Sequence, residues 1–177
     1  QEFIRHGFSR KWAVKTIMKS HSYQLSSRKN KFNATDEIYV SHANTRLLSA
    51  EQLLDAICQV TSVPENFPGF PVGTRAVELP EPPADNYFLK IFGQPQREMA
   101  CQCERSSESN LSQALQMING PVVHNKLRDP NGRIAKLLAA KATDEAIVTE
   151  LYLSALSRKP VADELQVAKK HIASSGD

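Results

Sequence analysis

Ser49-Ala50-Glu51-Gln52-Leu53-Leu54-Asp55-Ala56-Ile57-Cys58-Gln59-Val60 carries the clearest structural signal in the chain. Ser49 stands just before an apolar periodicity and Gln52 follows it by three residues. In that pairing a hydroxyl and a side-chain amide reciprocally satisfy two free N–H groups at a helix start. Leu53, Leu54, Ile57 and Val60 then recur at helical spacing, so the stretch predicts a helix that buries one stripe. Cys58 lies beside that stripe and reads first as a small buried hydrophobe.

Helical periodicity extends in both directions from this segment. Upstream, Ser9 is placed to cap a short amphipathic helix in which Trp12, Ala13 and Ile17 recur and Lys and Arg line the outer face. Residues 20–35 are a long polar loop with Tyr23, Leu25 and Phe32 as its apolar anchors. Downstream, helices are predicted over 111–119, stopped by Gly120, then over 122–127 and 134–140. Thr143 caps a helix over 144–157 whose acids lie in the first turn and whose Arg158 and Lys159 follow the last, as the helix dipole favours. Pro160 breaks the chain before a last helix over 162–172, and Leu151, Leu153, Leu156, Leu165, Ala168 and Ile172 are the expected contact of a helical hairpin.

Residues 64–95 hold seven of the ten prolines together with Gly69, Gly73 and Gly93, so regular structure does not run through them. Phe67, Phe70, Val72, Val77, Leu79, Tyr87, Phe88, Ile91 and Phe92 are interleaved and call for burial. This composition predicts an ordered excursion pinned over the core, with a short helix over 85–92 stopped by Gly93. The fold class that results is mainly α: a helical, bundle-like domain with a long proline-rich ordered loop and one short extended segment. At 177 residues, 41% of them hydrophobic, the chain has material for one core. Residues 1–177 are read as a single domain excised from a larger protein, with 62–96 as the place for any sub-boundary. No apolar run approaches the roughly 20 residues of a membrane helix, and no signal peptide is evident.

The net charge of +3 is unevenly spread: residues 1–31 hold Arg5, Arg10, Lys11, Lys15, Lys19, Arg28, Lys29 and Lys31 against Glu2, leaving 14 basic and 18 acidic residues downstream. Such a basic end is either a footprint for nucleic acid or another anionic polymer, or a surface facing solvent or a neighbouring domain. The second reading is the more ordinary.

The extended segment is 97–105, where alternation puts Arg97, Met99, Cys101, Cys103 and Arg105 on one face and Glu98, Ala100, Gln102 and Glu104 on the other. Four readings of Cys101-Gln102-Cys103-Glu104-Arg105 stand side by side. A bridge between Cys101 and Cys103 is disfavoured, because an extended i, i+2 pair sets the α-carbons about 6.6 Å apart with parallel side chains; Cys58 is the sterically open partner for either. Cys101 and Cys103 are candidate ligands for zinc or copper, with Cys58 or a histidine completing the shell. His6, His21, His42, His124 and His171 are scattered singly and do not strengthen that case. Arg97 and Arg105 would also lower a thiol pKa, making a redox thiol conceivable. Finally, Glu104 and Arg105 form an ion pair that pins the strand while the cysteines pack. No phosphate loop, nucleophile elbow or zinc-protease motif is present, and without Cys-x-x-Cys-His the chain holds no covalent haem.

Several stretches in order resemble a known family: Ser22-Tyr23-Gln24-Leu25-Ser26-Ser27, Arg46-Leu47-Leu48-Ser49-Ala50-Glu51-Gln52, Gly73-Thr74-Arg75-Ala76, Phe92-Gly93-Gln94-Pro95, Cys101-Gln102-Cys103-Glu104-Arg105-Ser106, Leu115-Gln116-Met117-Ile118-Asn119-Gly120 and Leu151-Tyr152-Leu153-Ser154-Ala155-Leu156-Ser157-Arg158. Together they are similar to the planctomycete domain of unknown function 1553, the C-terminal domain of large exported proteins that often carry a cytochrome c domain. The resemblance implies a cell-envelope or periplasm-like compartment, which favours the disulfide reading. It supplies no catalytic residues. The expected role is a non-catalytic accessory or interaction domain whose partners are the neighbouring domains of its parent, with a metal or thiol site at Cys101 and Cys103, or anionic-polymer binding through residues 1–31, as alternatives.

Overall fold

The computed structural model describes residues 1–36, 38–81, 83, 85–94 and 111–175. Among these the chain is mainly α and contains no strand. The segment 97–105, read as extended, lies outside the described residues. The chain divides into two compact units, Gln1–Leu47 and Leu48–Asp177. The division falls just ahead of Ser49, and the proline-rich excursion belongs to the second unit with the helix that precedes it.

The first unit opens with α1 (Glu2–Arg5) and α2 (Arg10–Met18). Ser9 caps α2 as its position predicts, its hydroxyl accepting from the Trp12 N–H at 3.2 Å. The Trp12 indole stacks on the His6 ring, 3.8 Å between centroids, which ties the two short helices together. Beyond α2 the described residues to 47 form no helix, and side chains take over the work of backbone partners. Asn30 and Asn33 cap each other's N–H groups at 2.7–3.2 Å. The Asp36 carboxylate accepts from the Ser41 hydroxyl and from the N–H groups of Ile38, Tyr39 and Ser41. Those donors, the Ser41 hydroxyl foremost, hold its carboxyl far below the usual carboxylate range.

In the second unit, α3 (Ala50–Thr61) begins with the reciprocal cap its sequence announces: Ser49 Oγ accepts from Gln52 N–H at 3.3 Å and Gln52 Oε1 accepts from Ser49 N–H at 3.2 Å. Ser62, in the left-handed region at φ 59°, ends it. Leu54 is fully buried, with Leu53, Ile57 and Cys58 packed around it. The excursion supplies the other side of this core through Phe67, Ala76, Leu79, Phe88 and Leu89. A 3-10 turn at Ala76–Glu78 and α4 (Tyr87–Ile91) are its regular pieces. Asn86 caps α4 through Leu89 N–H at 3.0 Å, and Gly93 leaves it at φ 76°. Phe70, Val72, Val77 and Tyr87, which the composition marked for burial, point outward. A cover one chain thick has an inner and an outer side, and only the inner one meets α3.

The remaining helices are α5 (Leu111–Asn119), α6 (Pro121–Arg128), α7 (Arg133–Ala139), α8 (Asp144–Leu156) and α9 (Ala162–Ser175). Between α5 and α6 the turn demands Gly120, since a Cβ there would lie 2.2 Å from the Gln116 carbonyl oxygen. Thr143 caps α8 through Ala146 N–H at 3.3 Å. α8 and α9 pack as the expected hairpin, braced by two 2.7 Å hydrogen bonds from Arg158 to the Glu164 carboxylate. Leu153 and Leu156, assigned to the hairpin contact, are exposed instead. Leu153 lies two positions past Leu151, which in a helix turns it to nearly the opposite side. α3 packs against α4, α6, α7 and α8, so it is the hub of the unit.

Candidate functional site

Among the described residues of the second unit, polar contacts gather at the C-terminal end of α3. A helix end leaves its last four carbonyls without intrahelical donors. Arg133, at the start of α7, reaches back to two of them: its Nε donates to Val60 O at 2.7 Å and its Nη2 to Gln59 O at 3.0 Å. Its Nη1 pairs with the Glu150 carboxylate of α8, so one guanidinium joins three helices. The next residues are held from α6. Lys126 is buried, and its Nζ donates to Val63 O at 3.2 Å and Pro64 O at 3.0 Å while pairing with Glu65 Oε2 at 2.9 Å.

These anchors lie beside an open cleft of about 410 Å³ that runs along α3. α3 contributes Asp55, Cys58 and Gln59, and its cap Ser62 follows at the same i, i+3, i+4, i+7 spacing; Pro64, Glu65, Gly73, Thr74 and Arg75 form the facing wall. Asp55 fixes that second wall, accepting from Ala76 N–H at 2.7 Å and Val77 N–H at 3.3 Å, with Arg75 Nε 3.5 Å away. The carboxylate therefore caps a 3-10 turn from a different helix.

Cys58 sits at the junction of core and cleft, half-buried and with no disulfide partner among the described residues. Burial pushes its pKa above the ordinary thiol range; the positive charge of the Lys126 ammonium pulls the other way without prevailing, and the Glu65 charge adds to the rise. At neutral pH the thiol is protonated and a poor nucleophile. Alkylation of Cys58 by iodoacetamide at pH 7.5 is expected to run on the order of tenfold slower than that of an unstructured cysteine. Denaturing the chain should remove the difference. Peptide-resolved mass spectrometry reads it, and equal rates in native and denatured chain would show that burial does not govern the thiol.

Among the described residues no histidine lines the cleft, and Asp55 and Glu65 are each engaged by the cations and N–H groups named above. Among the described residues no three His, Cys, Asp or Glu side chains stand close enough to hold a metal ion. The five histidines are not brought into such a group. Arg97, Cys101, Cys103, Glu104 and Arg105 lie outside the described residues, as does any partner they would offer Cys58. Lys126 and Arg133, which shape the site, went unmarked in the sequence.

A second candidate surface belongs to the first unit. Among its described residues only His42 is buried, and no apolar side chain is. On α2, Val14, Ile17 and Met18 are each more than half exposed, among the exposed Arg10, Lys11 and Lys15. At 100° per residue, Ile17, Arg10, Val14, Met18, Lys11 and Lys15 follow one another around a single side of the helix. Phe32, Ile38 and Tyr39 in the following loop are almost wholly exposed as well. Among the described residues no helix is long and apolar enough to cross a membrane.

No curated protein matches the chain. No solved structure matches it either. One family model does, described as PSD1, a protein of unknown function (DUF1553), and its match runs over residues 1–172, through both compact units; the chain belongs to this family.

Proposed function

We propose that this chain is a non-catalytic interaction module of a larger exported, cytochrome-linked protein, and that it docks through Gln1–Leu47 on an acidic surface of a neighbouring domain. The observation that carries the reading is the exposed basic and apolar side of α2 in a unit whose described residues bury no apolar side chain. Residues 1–47 hold nine basic side chains against Glu2, Asp36 and Glu37, so an acidic partner is favoured over a neutral one. Covering the exposed halves of Val14, Ile17 and Met18 would contribute roughly 1 kcal/mol each. Exposed apolar side chains of this density mark contact surfaces. Export and the cytochrome link rest on the family resemblance alone.

The test is retention of the chain by the remainder of its parent polypeptide, expressed separately and immobilised. Docking predicts retention that falls steeply between low and physiological salt and is lost in a Lys11→Glu, Lys15→Glu, Lys19→Glu variant of unchanged helical content. Retention indifferent to both, or no retention at low salt, contradicts it. Equal salt-sensitive retention on immobilised DNA would assign the surface to anionic polymers instead.

A further inference from the structure

We propose that the cleft along α3 binds a small monocarboxylate, gripped by the Arg75 guanidinium. The inference stands apart from the docking surface and uses only the second unit. Both walls of the cleft are fixed in advance: one is α3 itself, and the facing one is held at two places, where Lys126 takes the Val63 and Pro64 carbonyls and where Asp55 takes the N–H groups that follow Arg75. A preformed cleft loses little conformational freedom when a ligand enters. Its volume of about 410 Å³ lies toward the lower end of the range of small-molecule sites.

The class of ligand follows from which hydrogen-bonding groups remain unspent. Arg75 engages only its Nε, at 3.5 Å from Asp55; its Nη1 and Nη2 make no hydrogen bond among the described residues, and its side chain is 62% exposed. Two parallel N–H groups in one plane match the two oxygens of a carboxylate. The Gln59 amide and the Ser62 hydroxyl, both lining the cleft, also have no partner among the described residues. The Thr74 hydroxyl donates to Pro71 O at 2.8 Å and keeps its lone pairs free. These groups suit hydroxyl or amine substituents near the carboxylate. Charge argues for one negative unit and no more: Lys126 is spent on Glu65 and two carbonyls, which leaves only the Arg75 fork for the ligand, so a second negative charge would face Asp55 and Glu65 without a cation of its own.

Sodium lactate is the probe, titrated into the intact ¹⁵N-labelled chain against sodium chloride at constant ionic strength. Saturable shifts are expected at the Ser62, Gly73 and Thr74 amides, half-complete in the millimolar range that one bidentate pair supports. Arg75→Gln should weaken binding at least about tenfold, Arg75→Lys nearly as much because an ammonium has no fork, and Gln59→Ala by several-fold. Both positions are solvent-facing, so the variants keep the parent amide spectrum elsewhere. Arg46→Gln, in the other unit, should change nothing. Saturating lactate should also slow the alkylation of Cys58, which lines the same cleft. Shifts that never saturate, affinity unchanged in both Arg75→Gln and Arg75→Lys, or sulfate binding as tightly as lactate would each overturn the proposal.

Discussion

Replacing Lys126 with alanine is expected to destabilise the second unit by about 3 kcal/mol, the lower end of what removing one partner of a buried ion pair costs. The lower end applies because the Glu65 side chain is 25% exposed and water reaches it. Three acceptors lose their donor at once: Glu65 Oε2 at 2.9 Å, Val63 O at 3.2 Å and Pro64 O at 3.0 Å. Two of these are backbone oxygens that the turn after α3 presents to α6, and nothing else described donates to them. Thermal unfolding should show the midpoint falling by roughly 10 °C. A Lys126→Met, Glu65→Leu double variant should recover part of the loss, because no charge is then left unpaired while the two carbonyls still are. A midpoint within 2 °C of the parent, a margin of about 0.5 kcal/mol, would show that the Lys126 contacts are incidental to the fold.

A comparable loss, about 3–5 kcal/mol, is expected from Phe88→Ala in α4. Phe88 is 1% exposed, stacks on Phe92 at 4.4 Å between ring centroids, and closes the core over Leu54. The excursion that carries it contributes few other large buried side chains, Phe67, Leu79 and Leu89 among them, so little can collapse into the space left behind. Phe88→Leu should retain more than half of the lost stability, since it keeps most of the apolar volume. Chemical denaturation with unchanged slope checks both, and a loss under about 1 kcal/mol for Phe88→Ala would mean that the proline-rich cover is not packed as described.

What could be read from the residues alone was what is local. Ser49 with Gln52, Ser9 with Trp12 and Thr143 with Ala146 are caps made within three positions, and each forms as its spacing indicates. The last helices end within a few residues of where Pro160 and the apolar periodicity place them. The contacts that organise the site are of another kind. Arg133 meets carbonyls 73 and 74 positions away, and Lys126 meets carbonyls 62 and 63 positions away. Backbone carbonyls carry no mark in a sequence, so neither cation could be singled out from other surface lysines and arginines. Cys58 shows both limits. Its place beside the Leu54 stripe correctly indicated packing against the core, whereas its neighbours Lys126 and Glu65 emerge only from the fold. The same holds for the excursion, where composition marks Phe67 and Phe70 alike and topology buries only the first.

The docking of Gln1–Leu47 is tested most directly by hydrogen–deuterium exchange of the α2 amides, compared between this chain alone and the parent polypeptide. The helix is short and buries none of its residues in the chain alone, so its amides should exchange readily there. In the parent they should slow by at least about tenfold, the protection that roughly 1.4 kcal/mol of docking confers, with Val14, Ile17 and Met18 among the most protected. Exchange at the same rate in both would contradict a docked α2 and with it the reading of this unit as the module's contact surface.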